Sequence, residues 1–157
     1  MTPSATDTAG PLAIYRRMQE AVVHGEGADA TLLPADLLAE DCLIETPFAP
    51  AGMRRYEGRE AWLSYYRARG AGLLVDFEDF RELATYRTGD PEVIVVEYEL
   101  TGTVTATGVR ASVTCIAVLG VQDGLIRHWR EYQDIPAITD ALTRQPDDRD
   151  DASAPAQ

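Results

Sequence analysis

The apolar residues of this chain change period along its length, from helical spacing at the start to strand alternation afterwards. Ile14, Met18, Ala21 and Val22 form one stripe with Tyr15 beside it, so a helix is expected there, opened by Pro11 and stopped by Gly25. A second, short helix is expected near Pro34, carrying Leu37 and Leu38. Residues 42–46 read as a short strand ended by Pro47, followed by a Pro/Gly loop over 48–58. Residues 60–69 read as a third helix with Trp62, Tyr65, Tyr66 and Arg69 on one side, ended by Gly70 and Gly72. The period then falls to two, as expected for an antiparallel meander over residues 73–86, 93–105, 110–121 and 125–134, the first strand bending near Glu78 and Asp79. Turns fall at 88–91, 106–108 and 122–124. A last helical turn follows Pro136, through Ile138 and Leu142. Helices first and a curled antiparallel sheet afterwards make an α+β domain.

Side-chain alternation indicates which face of each strand points inward. On the 93–105 strand the even set, Ile94, Val96, Tyr98 and Leu100, is the better core face, because the odd set runs into Glu97, Glu99, Thr101 and Thr103. On the 110–121 strand the odd set (Ala111, Val113, Cys115, Ala117, Leu119, Val121) is apolar and fairly small, which leaves room for a ligand on a concave face. On the 125–134 strand neither set is purely apolar, and alternation alone leaves the choice open.

That last strand holds the residue with the most chemical content. Glu131 lies two residues from Trp129, hence on the same face. A carboxyl group beside an indole on the inner wall of a sheet is costly to bury as an anion, so it is either solvated or a tuned acid or base. Its plainer alternative is a rim residue paired with Arg127 or Arg130.

Composition narrows the field. A length of 157 residues fits one domain, expected over residues 11–143, with tails at 1–10 and 144–157 that are expected to be disordered. The first tail is Thr, Ser, Ala, Pro and Gly, and the second is acidic, with Asp147, Asp148, Asp150 and Asp151. Neither can bury enough apolar area to offset its ordering entropy. With 14 Lys and Arg against 26 Asp and Glu, the net charge is −12, which argues against nucleic acid and against an anionic membrane surface as partners. No apolar run is long enough to span a bilayer, and residues 1–10 lack the pattern of a secretory signal. Cys42 and Cys115 are expected as buried free thiols in a reducing cytoplasm. His24 reads as a helix-end residue and His128 as an outward one; with no Cys/His/carboxylate cluster, no metal site is expected. No glycine-rich phosphate loop follows a strand, so no nucleotide cofactor is expected either.

Several stretches together resemble the nuclear transport factor 2-like superfamily, and within it the SnoaL-like polyketide cyclases, limonene epoxide hydrolases and phenazine-biosynthesis A/B proteins. They are Leu38 to Pro47, Tyr56-Glu57-Gly58-Arg59-Glu60-Ala61, Gly124-Leu125-Ile126, Trp129-Arg130-Glu131-Tyr132 and Asp134. Asp90-Pro91, then Val96-Glu97 and Gly102, resembles the phenazine proteins in particular. The resemblance implies a cone-shaped α+β barrel, with three N-terminal helices packed on a curved, mainly antiparallel sheet, and a homodimer formed through the outer sheet face. It puts Glu131 where epoxide hydrolases carry an acid/base aspartate, hence Trp129, Glu131 and Gln133 inside and His128, Arg130 and Tyr132 outside. Thr46 lies where ketosteroid isomerases have their catalytic aspartate, and a threonine cannot be that base. Tyr98 and Leu100 lie where epoxide hydrolases have an arginine and an aspartate, so that ionic partnership is missing.

The expectation is a small cofactor-free enzyme that cyclises or isomerises an apolar, oxygenated natural-product intermediate of polyketide type. Glu131 would move the proton while Tyr98 and Thr46 polarise an oxygen. The pocket wall would be Trp129, Tyr15, Trp62, Tyr66, Leu100, Val113, Cys115 and Gln133. Each has a plainer role: Thr46 could bond backbone at a strand end, and the aromatic residues could be core. The alternatives are an epoxide hydrolase, a non-catalytic binding protein with the same cavity, and an assembly domain that uses its outer sheet face. A polar inner network favours the enzyme, and an all-apolar cavity with a solvated Glu131 favours the binder.

Overall fold

The computed structural model describes residues 10–24, 33–69 and 75–145. The expected tails, apart from Gly10, Arg144 and Gln145, lie outside these residues, as do the helix stops at Gly25, Gly70 and Gly72. Helix α1 (Pro11–His24) buries Ile14, Tyr15, Met18 and Val22 of the predicted stripe and leaves Ala21 half-buried. A strand β1 (Leu38–Glu45) follows, then β2 (Arg55–Glu57), α2 (Arg59–Arg69), β3 (Val75–Arg87), β4 (Val93–Val104), β5 (Arg110–Gln122), β6 (Leu125–Gln133) and α3 (Ile135–Thr143).

Two elements differ from expectation. The helix expected near Pro34 is a single 3-10 turn, Ala35–Leu37, and Leu38 already belongs to β1. Leu37, Leu38 and Ala39 are all buried in succession, a density of apolar contact that a strand start satisfies better than one helical face. Part of the expected 48–58 loop is the short strand β2, which pairs Tyr56 with Ile44. The helices therefore do not all precede the sheet: α3 closes the fold, capped by the Asp134 carboxylate, which accepts from the Ala137 amide at 3.1 Å.

The six strands form one mixed sheet in the order β2-β1-β6-β5-β4-β3. All neighbours are antiparallel except β1 and β6, which run parallel. The end strands β2 and β3 do not pair, so the sheet is open and not a closed barrel. The β5–β6 hairpin turns at Asp123 and Gly124, both with positive φ (54° and 75°), as a tight primed turn requires. On β4 and β3 the chains approach so closely at Gly102 that an added Cβ would lie 2.7 Å from Val75 Cγ1 and 2.8 Å from the Asp76 carbonyl oxygen.

Irregular register explains why alternation is hard to read on some strands. On β6 the pairing passes from Gly120–His128 to Val121–Ile126, so Arg127 is an extra residue. The bulge lets both Ile126 and Trp129 point into the core despite their odd separation; they are 0% and 1% exposed. Arg127 itself is bonded to the Asp41 carboxylate at 2.9 and 3.0 Å. Two similar shifts interrupt β3, at Glu78 and at Leu83. On β4 the regular even set Ile94, Val96, Tyr98 and Leu100 is buried throughout.

Candidate active site

After the Arg127 bulge, β6 alternates regularly, and Trp129, Glu131 and Gln133 share the inner face. Glu131 is only 2% exposed. Its carboxyl group accepts the Tyr98 hydroxyl on Oε1. On Oε2 it accepts the Gln133 amide nitrogen at 2.6 Å. Tyr98 is on β4, with β5 lying between it and β6. The register sets Cys115 opposite both Tyr98 and Gln133, and Ala117 opposite both Val96 and Glu131. A thiol and a methyl on the intervening strand are small enough for the phenol to cross β5 and reach the carboxyl group.

Burial governs the electrostatics of this trio. Removal from water raises the Glu131 pKa from 4.5 to about 7, with the Gln133 hydrogen bond opposing the rise. Near neutral pH the carboxyl group can therefore either give or take a proton. The Cys115 thiol, next to it, is pushed up to about 12 by the same burial and stays protonated, so it acts as a small wall residue and not as a nucleophile.

Aromatic rings frame the trio. Tyr98 stacks on Phe80 with centroids 4.6 Å apart, Tyr15 meets Phe80 edge-on at 5.8 Å, and Trp129 lies 6.3 Å from Tyr98. Leu100 is buried beside them, while Val113 and Gln133 are half-buried, so solvent approaches the inner face at that end. Trp62 and Tyr66 group with Tyr56 in aromatic contacts on α2 and β2, at another part of the same buried core. There Trp62 lies 4.7 Å from Tyr66 and 5.2 Å from Tyr56.

Thr46 is 8% exposed at the end of β1, and its hydroxyl donates to the Met53 carbonyl at 2.6 Å. Its one proton anchors the loop between β1 and β2, the plainer of its two expected roles. The structure thus joins Glu131, Tyr98, Gln133, Cys115, Trp129 and Tyr15 in one region, and engages Thr46 separately. Phe80, Glu82 and Thr85 of β3 also belong to the inner face, opposite Leu100, Tyr98 and Val96. Alternation does not reveal them, because the β3 bulges shift the inward set. On the outer face, Glu45 accepts from His128 at 2.7 Å and from Arg130 at 3.2 Å. The His128 contact is the main cause that lowers the Glu45 pKa.

Residues 15–129 match the SnoaL-like domain family. An uncharacterised PhzA/B-like protein of Pseudomonas aeruginosa is 33% identical over 98 residues, spanning 62% of this chain and 67% of that protein. Among solved structures, a Bacillus subtilis protein provisionally assigned as an isomerase superposes with a TM-score of 0.72 at 22% identity, covering 84% of this chain and 91% of that one. A provisionally assigned polyketide cyclase of Xanthomonas campestris superposes with a TM-score of 0.66 at 20% identity, covering 89% of this chain and all (100%) of that one. At these identities the two superpositions show a shared fold.

Proposed function

The chain belongs to the SnoaL-like domain family of the nuclear transport factor 2-like superfamily, and from that premise we propose that it is an acid/base enzyme that cyclises or isomerises an apolar, oxygenated intermediate of polyketide type. One observation carries this reading: a carboxyl group buried to 2% exposure, bonded by a phenol and an amide, with its pKa raised to about 7. As the carboxylate, Glu131 takes a proton from a carbon made acidic by a neighbouring carbonyl. As the acid, it returns that proton to a different atom of the same substrate. Tyr98 donates to the developing enolate oxygen when its hydroxyl turns from Glu131 to the substrate, and the rings of Phe80 and Trp129 beside it exclude water. Neither reaction needs a cofactor: in isomerisation only the proton moves, and in ring closure the enolate carbon attacks a second carbonyl carbon of the same substrate, whose oxygen takes the proton from Glu131. An all-apolar cavity would have favoured a binding protein; the Glu131 network favours the enzyme.

The proposal includes a homodimer. On the outer face Ile116 is 41% exposed and pairs with Tyr132, against which Phe48, itself 63% exposed, packs at 5.3 Å. An apolar strip of this kind fits a second copy of the sheet. A cytoplasmic setting suits the two buried free thiols.

The activity can be tested before the substrate is identified, by proton exchange at an enolisable ketone. 2-Tetralone in deuterated buffer, followed by proton NMR, should exchange its α-hydrogens faster with the protein present. Glu131→Gln should lose that acceleration by roughly 10²–10⁴-fold, the usual scale of general acid–base catalysis. Tyr98→Phe should lose less, since it removes one oriented hydroxyl and no proton carrier. Equal exchange by wild type and Glu131→Gln would refute the assignment.

A further inference from the structure

The inner face of the sheet carries a second carboxyl group that the proposed proton chemistry does not use. Register places it: Glu82 on β3 pairs with Tyr98, Tyr98 with Cys115, and Cys115 with Gln133, so these four residues form one row across the sheet. The next row runs Thr85, Val96, Ala117, Glu131. Each end of the two rows thus holds a carboxyl group with a donor beside it. At the β6 end Gln133 donates to Glu131 at 2.6 Å; at the β3 end Thr85 donates to Glu82 at 2.9 Å. Along the sheet the rows between them carry Val96, Cys115, Ala117 and the Tyr98 ring.

A second observation falls at the β3 end. Tyr15 of α1 is 0% exposed, and its hydroxyl has no hydrogen-bond partner. Its ring packs edge-on against Phe80, two residues before Glu82 on the same inner face. Burial is the main cause that raises the Tyr15 pKa, and the Glu82 charge adds to it, so the phenol keeps its proton and Glu82 acts on it. A buried phenol without an acceptor is a cost that a ligand oxygen would remove.

We propose that Tyr15 and Glu82 form a second polar station that receives a hydroxyl group of the substrate, at the opposite end from the group that meets Glu131. One hydroxyl satisfies both residues, donating its hydrogen to the Glu82 carboxylate and accepting the Tyr15 proton on its oxygen. The β3 and β6 backbones are three strand spacings apart, roughly 14 Å along the sheet. The substrate class is therefore an elongated apolar body, such as fused or linked rings, with oxygen at both ends. This rests on the proposed function, because it takes the Glu131 end to hold the reacting oxygen.

The test compares 4,4′-dihydroxybiphenyl with 4-hydroxybiphenyl by isothermal titration calorimetry, on wild type, Glu82→Ala, Tyr15→Phe and Glu131→Gln. Wild type should bind the diol roughly 10-fold or more tighter, the worth of one hydrogen bond to a charged group. Glu82→Ala should bring that ratio close to one, and Tyr15→Phe should reduce it part of the way. Glu131→Gln should weaken both compounds and keep the preference. A structural role for Glu82 would weaken both compounds alike and leave the ratio unchanged, which would overturn the inference. Equal binding of the two compounds by wild type would also overturn it while leaving the Glu131 site standing. Failure of wild type to bind either compound would overturn both. Should Glu82→Ala fail to fold, the wild-type ratio and Tyr15→Phe still decide.

Discussion

Replacing Glu131 by Gln should change how stability depends on pH, by an amount that follows from the structure. The folded-state pKa is about 7 against 4.5 for an exposed glutamate, because burial disfavours the anion. Between those two values the folded protein binds more protons at this site than the unfolded chain. Stability therefore falls as pH rises from about 4.5 to about 7, and the loss is complete above that. At 1.36 kcal/mol per pKa unit, a rise from 4.5 to about 7 corresponds to a loss of about 3 kcal/mol. For a chain of 157 residues this is on the order of 10 °C in melting temperature. The amide introduced by Glu131→Gln would still accept from Tyr98 on its oxygen, with Gln133 turning its own amide to accept from the new nitrogen. The variant therefore keeps the packing and loses only the titration. Melting curves for both proteins from pH 5 to pH 9 would measure it. The gap should grow in favour of the variant by about 5–10 °C across that range, because all other titrating groups, Glu45 and its lowered pKa included, are common to both. Parallel curves would refute the buried, raised-pKa carboxyl group and with it the basis of the proton chemistry.

Other consequences are accessible by single substitutions. Ala117→Leu would fill the space over which the Tyr98 hydroxyl reaches Glu131; it should cost about 1–3 kcal/mol in urea unfolding and abolish the ketone exchange. Gly102→Ala would put a methyl group 2.8 Å from the Asp76 carbonyl oxygen, forcing β3 and β4 apart, and should lower the melting temperature measurably while Glu131 chemistry in the surviving fold persists. Light scattering should show a dimer at micromolar concentration, and Ile116→Arg on the outer face should yield a monomer; a monomeric wild type would remove the dimer proposal.

What can be read from the sequence depends on regularity. β4 has an uninterrupted ladder with β5, and its even set is legible as core from alternation alone. Glu131 stands out by its spacing from Trp129, although the face it occupies stays open until the resemblance chooses it. The reason is Arg127, one extra residue that puts Ile126 and Trp129 on the same side and so defeats a strict period of two. The turn at residues 35–37 resembles a helix because Pro34 and two leucines suit a helix start as well as they suit a 3-10 turn that enters a strand. Glu82 is hidden for the same reason as the β6 face. Bulges at Glu78 and Leu83 shift the inward residues of β3, and the register with β4 is needed to find them. Thr46 shows the limit of transfer by position: the resemblance sets it where ketosteroid isomerases are expected to carry their base, yet its hydroxyl donates to the Met53 carbonyl.

The small residues of β5 connect these features. A strand at the centre of a sheet contributes most to a core when it carries large side chains, yet β5 places Cys115 and Ala117 on the inner face at its most enclosed point, where they are 2% and 0% exposed. Leu119 and Val121, farther along the same face, are large and complete the core under Trp129 and Ile126. The reduction in size is therefore local. It coincides with the two rows that hold the polar residues Tyr98, Glu131, Gln133, Glu82 and Thr85. Packing alone would favour leucine or valine at both positions. With a larger residue at 117, Tyr98 would be cut off from Glu131. The carboxyl group would then lose the phenol that satisfies one of its oxygens, and a buried acceptor without a donor costs about 1–3 kcal/mol. The chain gives up core volume on β5, and what it gains is a hydrogen-bonded acid reached from two strands away, an arrangement suited to moving a proton and of no evident use to a core.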